Sequence, residues 1–169
     1  GLETIELYAF SGCRSLVSID IPSTVTKLGA IAFGGCESLT RVNIKGSIKK
    51  LEGATFENCV SLNNVDLTEL RNAGREAFKG CTGLTNVIFG QYTKLAYAMF
   101  VMSGVKNITL YEKEIIPEYC FAKCEDLESV TLVNDLGIIS TGAFSECPAL
   151  KTVKFEKSHS SIFNTSCSF

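Results

Sequence analysis

The sequence predicts a β-rich solenoid of seven stacked repeats, with a parallel sheet on one side and short irregular strands and turns on the other. Three observations carry that prediction. The first is a ladder of phenylalanines, Phe10, Phe33, Phe56, Phe78, Phe100, Phe121 and Phe144, spaced by 23, 23, 22, 22, 21 and 23 residues. The second is that each phenylalanine brings the same apolar neighbours with it. The third is an alternation of apolar and polar residues once per period. A fixed period of this size marks an architecture in which each repeat packs on its neighbours. One repeat buries too little apolar surface to offset the ordering of its own chain, so the repeats must stack.

Three residues after each phenylalanine stands Cys13, Cys36, Cys59, Cys81, Cys124 or Cys147, with Ser103 in the fifth repeat. Three further on comes Leu16, Leu39, Leu62, Leu84, Leu127 or Leu150, replaced in the fifth repeat by Val105 after a one-residue deletion. Two apolar positions separated by one residue follow: Ile19/Ile21, Val42/Ile44, Val65/Leu67, Val87/Phe89, Ile108/Leu110, Val130/Leu132 and Val153/Phe155. Alternation with β-branched residues predicts a short strand with one buried face. Leu-x-x-Ile-x-Ile is the core of the leucine-rich repeat pattern.

Two more apolar slots lie eight and five residues before the next phenylalanine: Val25/Leu28, Ile48/Leu51, Leu70/Ala73, Tyr92/Leu95 and Leu136/Ile139. The fifth repeat interrupts this row with Lys113 and keeps Ile116. They predict a second extended segment that turns into a tight corner, for which Gly12, Gly35 and Gly80 supply backbone freedom. Small residues, Ala9, Ala32, Thr55, Ala77 and Ala143, precede most of the phenylalanines, with Met99 and Cys120 as exceptions. At a strand spacing of about 4.8 Å, seven rungs make a rod or shallow arc roughly 35 Å long.

The segment Ala9 to Leu39, AFSGCRSLVSIDIPSTVTKLGAIAFGGCESL, resembles the BspA-like leucine-rich repeat family, and the resemblance extends over residues 1–156. It implies a right-handed solenoid with a parallel sheet along one side. It also implies a surface role, the binding of host or matrix proteins or of other cells. No catalytic residue is carried over from the family. The fifth repeat departs from the pattern in its missing cysteine and its shortened spacing.

The length fits one domain, read as the solenoid over residues 1–156 and a degenerate last repeat or cap over 157–169. A net charge of -2 makes no electrostatic case for nucleic acid. No run of 18 apolar residues is present, so no transmembrane helix is expected. The opening GLETIELYAF enters mid-repeat, with Ile5 already in the slot five before Phe10. Processing, or a fragment of a longer protein, is the expectation, with further repeats or self-association at that end.

The cysteines invite three chemical readings. An even count of 8 suggests disulfides, but side chains pointing into one core face do not turn toward each other, and Ser103 could not bond. Buried thiols behaving as small apolar groups are the preferred reading. Cys120 and Cys124 lack a second ligand pair, and the single histidine, His159, lies in the tail, which argues against zinc and against a nucleophilic cysteine. No phosphate loop, Ser-His-Asp order or HExxH stretch is present, so no cofactor, metal or enzyme activity is predicted.

Two candidate surfaces remain. On the main sheet the outward positions form a row Ser18, Arg41, Asn64, Asn86, Asn107, Ser129, Thr152 and a second row Asp20, Asn43, Asp66, Ile88, Thr109, Thr131, Lys154. Such a face can bond to a protein, a peptide or a glycan, or serve only as a solvated face. Asp20 and Asp66 stand two rungs apart, roughly 10 Å, which is loose for a catalytic acid pair. The second surface is the fifth repeat, where Tyr97, Val101 and Met102 replace mostly small or polar residues, with Tyr111, Ile88 and Ile115 outward nearby in sequence. An exposed interface and local repacking are the two readings of that repeat. A basic edge of Lys27, Lys49, Lys50, Arg71 and Lys94, broken later by Glu114 and Gly137, reads as a solvated face. Asn107-Ile108-Thr109 and Asn164-Thr165-Ser166 match the glycosylation acceptor pattern, meaningful in a secreted eukaryotic setting.

A cell-surface or secreted binding module is the first function read from the chain. An architectural or docking subunit in a large intracellular or filamentous assembly is the second.

Overall fold

The computed structural model describes residues 1–44, 48–111, 115–133 and 137–156. The expectations on Lys113, Glu114, Leu136, His159, the second acceptor sequence at Asn164 and the whole 157–169 tail lie outside the described residues. So does the side chain of Ile44.

In chain order the strands are β1 (Thr4–Ile5), β2 (Ser18–Ile21), β3 (Lys27–Leu28), β4 (Arg41–Ile44), β5 (Asn64–Leu67), β6 (Asn86–Phe89), β7 (Asn107–Leu110), β8 (Ile115–Ile116), β9 (Ser129–Val133), β10 (Ile138–Ile139) and β11 (Thr152–Glu156). No helix occurs among the described residues. The four- and five-residue strands build one side of the solenoid and the two-residue strands the other. All pairing is parallel: Ser18 registers with Arg41, Asn64 with Asn86, and Asn107 with Ser129 and then Thr152. Within each paired block the outward positions read from the sequence therefore align as rows. The pairing comes in three blocks, β2–β4, β5–β6 and β7–β9–β11, rather than one continuous ladder. On the opposite side, bridges from Lys50 to Asn72 and on to Lys94 continue the row of short strands.

The phenylalanines form the spine. Consecutive rings lie 5.2–5.5 Å apart with planes 3–9° from parallel, from Phe10 through Phe144. That is the offset stacking aromatic rings prefer, imposed here by strand spacing. Phe33, Phe56, Phe78, Phe100 and Phe121 are fully buried. The leucine row, from Leu39 to Leu127 with Val105 in its fifth place, is buried beside them.

At the corner each turn is tied to the next by three backbone bonds. Phe78 N–H, for example, donates to Met99 O at 2.9 Å, flanked by Glu76 N–H to Tyr97 O and Gly80 N–H to Val101 O. Holding the corner in this shape takes two left-handed residues per turn. One row, two residues after each phenylalanine, is Gly12, Gly35, Asn58, Gly80, Met102, Lys123 and Glu146. The other, two residues before it, is Tyr8, Ile31, Ala54, Glu76, Ala98, Tyr119 and Gly142. Side chains at these φ values, +51 to +59° for the non-glycine members, cost free energy that glycine avoids. For Ile31, a β-branched residue at φ 54°, the strain is sharpest.

Four residues expected in the core, Tyr92, Ile139, Val153 and Phe155, are exposed instead, and so is Cys13 of the row expected to be buried thiols. Tyr92 is 60% exposed, and Thr93 takes the inner position. Thr93 Oγ1 lies 3.1 Å from both Leu67 O and Leu70 O and accepts from Gly90 N–H, so the register slips by one to satisfy a buried hydroxyl. Ile139, together with Val153 and Phe155, is exposed, because no described turn stacks on that side of them.

Candidate functional site

The cysteine row does more than fill space. The carbonyls of Phe10, Phe33 and Phe56 each accept the N–H of the cysteine in their own turn and the thiol of the cysteine one turn later. Phe33 O, for instance, takes Cys36 N–H at 3.2 Å and Cys59 Sγ at 3.1 Å. The same thiol bond recurs from Cys36 to Phe10, Cys81 to Phe56, Cys124 to Phe100 and Cys147 to Phe121. Sequence reasoning missed this donor role, although an invariant three-residue offset from Phe was its signal. At Phe78 the next rung offers Ser103 instead of a thiol, its hydroxyl 3.5 Å from Cys124 Sγ.

Burial pushes these thiols up: Cys59 to about 12 and Cys124 to about 11, from 9.0. Desolvation dominates, and the neighbouring cysteine adds to it. Such groups are neutral thiols at neutral pH and poor nucleophiles. Among the described residues no group of three or more His, Cys, Asp or Glu is placed to hold a metal ion.

On the outward face of the main strands, Asn64 and Asn86 pair in register and are exposed, as are Arg41 and Asn107 in the same row. Neighbouring polar groups orient these side chains. Asn64 Nδ2 donates to Asn63 Oδ1 at 2.9 Å, Asn86 Nδ2 to Thr85 Oγ1 at 3.1 Å, and Ser129 Oγ to Asn107 Oδ1 at 2.6 Å. In the second row Ile88 stands 56% exposed beside Asp66. Asp66 Oδ1 accepts Thr68 N–H at 2.9 Å, a turn-forming role.

The fifth-repeat residues do not converge on one patch. Tyr97 is half-buried, its ring edge-on to Tyr119 at 6.0 Å and under the Arg75 guanidinium at 4.7 Å, so it packs along its own row. Val101 is half-buried on the corner, and Met102 is exposed there at a left-handed φ of 57°. Tyr111 follows β7, Ile88 lies on β6, and Ile115 lies on the short-strand side; all three are exposed. Tyr97 therefore packs against its row neighbours, whereas Met102 is exposed. On the basic edge, Lys49 pairs with Glu69 at 2.5 Å and Lys50 with Glu52 at 3.1 Å, while Arg71 lies 4.6 Å over the Tyr92 ring.

A family model described as BspA type leucine rich repeat region (6 copies) matches residues 1–103 and 56–168. The chain belongs to the BspA-type leucine-rich repeat family. Repeats of this family serve as protein-interaction modules. Several solved bacterial structures share the fold. A leucine rich cell surface protein from Faecalibacterium prausnitzii aligns with TM-score 0.67 at 24% identity, over 94% of this chain and 52% of that one. The Treponema pallidum leucine rich repeat protein gives TM-score 0.63 at 25% identity, over 92% and 67%. A leucine-rich repeat protein from Bacteroides ovatus gives 0.51 at 25% identity, over 92% and 59%. The BspA-type chain thus spans about half to two thirds of the length of these proteins. No curated protein matches it in sequence.

The BspA-type repeat accounts for the Phe, Cys and Leu rows as packing. What it leaves over is the outward main face and the corner of the fifth turn, where this chain departs from its own period.

Proposed function

We propose that this chain is a cell-surface or secreted protein-binding module whose recognition surface is the outward face of β5, β6 and β7. The supporting observation is one large exposed apolar residue, Ile88, set among oriented amides, Asn64, Asn86 and Asn107, with β5 and β6 paired in register and β7 packed beside β6. Interfaces combine an apolar centre with a polar surround, and a preformed rigid face loses little freedom on binding. The family and the printed description of the Faecalibacterium relative as a cell surface protein support the location. No helix among the described residues is long and apolar enough to cross a membrane.

The test compares capture of proteins from the native source by the wild-type chain and by an Asn64→Arg, Asn86→Arg, Ile88→Asp triple variant, each analysed by mass spectrometry. Loss of a captured protein by a variant that unfolds at the wild-type temperature supports the reading. Equal capture refutes it. Labelling of intact cells with an antibody to the chain decides the location, and recovery only in an intracellular assembly favours the docking-subunit alternative.

A further inference from the structure

The fifth turn lacks a tooth. In its neighbours the two positions after the cysteine carry Thr82 and Gly83 on one side and Glu125 and Asp126 on the other. In the fifth turn the deletion leaves only Gly104 between Ser103 and Val105. Gly104 is pulled inward, its N–H bonded to Cys81 O at 3.1 Å, and a Cβ there would meet Thr82 O at 2.0 Å. No side chain can refill the gap from that position.

A cavity of about 270 Å³ results, open to solvent and lined by Thr82, Met102, Ser103, Gly104, Lys123, Glu125 and Asp126. Its floor is Ser103 and Gly104, both buried. Met102 forms an apolar wall and is itself 42% exposed, since the preceding residue in its row is Gly80. The lining includes two carboxylate residues, Glu125 and Asp126, and one ammonium, Lys123. That ammonium is already engaged, Lys123 Nζ lying 3.6 Å from Glu146, whereas Glu125 and Asp126 make no ion pair among the described residues.

We propose that this notch is an anchor pocket for a basic side chain, lysine or arginine, of a protein partner. The proposal rests on the reading of the chain as a protein-binding module and names one specificity-determining contact. The aliphatic stem of the guest lies against Met102, and its charged head meets Glu125 and Asp126. Long basic side chains cover apolar surface along their stems while keeping the head at a polar rim. An acidic guest would face the two carboxylates. An aliphatic guest would leave them without a partner.

The probe is Nα-acetyl-arginine amide, titrated into ¹⁵N-labelled protein and followed by amide chemical shifts, with the blocked glutamate and norleucine amides as comparisons. Saturable shifts at residues 102–104 and 125–126 are expected with arginine and not with glutamate. Glu125→Lys and Asp126→Lys, both at exposed positions, should each weaken the arginine response about threefold. Met102→Gly should weaken it without loss of stability, because glycine suits the left-handed φ. Shifts absent from the notch, shared equally by the glutamate amide, or unchanged by the charge reversals would overturn the proposal. Because the probe needs no native partner, this result is independent of capture through Asn64, Asn86 and Ile88.

Discussion

Truncating one ring of the phenylalanine ladder should cost an amount set by its place in the stack. Phe78 is fully buried and stacks on two rings, at 5.5 Å on Phe56 and 5.4 Å on Phe100. Phe10 is half-buried and stacks on Phe33 alone among the described rings, at 5.3 Å. Removal of a fully buried phenylalanine costs about 3–5 kcal/mol, and each lost ring contact contributes about 1 kcal/mol of that. Phe78→Ala should therefore lie near the upper end, about 4–5 kcal/mol, and Phe10→Ala near about 1–2 kcal/mol. With a urea dependence of about 2 kcal/mol per molar, the midpoints should fall by about 2 M and by less than about 1 M. Far-ultraviolet circular dichroism follows the unfolding. Equal midpoint shifts for the two variants would refute the claim that the rings stabilise the fold through both neighbours.

Other predictions follow from the corner, the second segment and the thiols. Lys123→Gly should raise stability by about 0.5–1 kcal/mol by relieving a φ of 58°, whereas Gly142→Ala should lower it by about 1–3 kcal/mol. The added methyl of the latter would sit 2.6 Å from a Tyr119 ring carbon, and thermal unfolding of both variants checks the pair of signs. Thr93→Val should cost about 1–2 kcal/mol by removing the hydroxyl's bonds to Gly90 N–H, Leu67 O and Leu70 O, while Tyr92→Ala costs about 0.5–1 kcal/mol, as urea titration would measure. Folding raises the Cys59 and Cys124 thiols to about 12 and about 11, so their contribution is fully present below the unfolded value of 9.0. It is lost as pH rises through 9 toward 11–12. The urea midpoint should fall over that window, and replacing both cysteines with serine should flatten the decline.

Much of this fold was readable from period alone. Strand registers such as Asn64 with Asn86 follow directly from 22- and 23-residue spacing, because parallel rungs align equivalent residues. The second left-handed row was not readable. Its members, Tyr8, Ile31, Ala54, Glu76, Ala98, Tyr119 and Gly142, have no single residue type in common, and the corner's inter-turn hydrogen bonds impose a conformation that all but the glycine resist. Thr93 displaced Tyr92 because a buried hydroxyl found three backbone partners, a tertiary effect invisible to hydropathy. The deletion at Val105 was visible in the sequence. The notch it opens was not, since its walls come from the turns before and after.

Hydroxyl-radical footprinting of the chain, free and bound to a captured partner, tests most directly whether binding lies on the outward main face and the fifth-turn corner. Ile88 and Met102 are both exposed in the free chain. The account predicts that both lose reactivity in the complex while Tyr8, Tyr92 and Ile138, also exposed, keep theirs. Protection of those three residues, with Ile88 and Met102 unchanged, would contradict it.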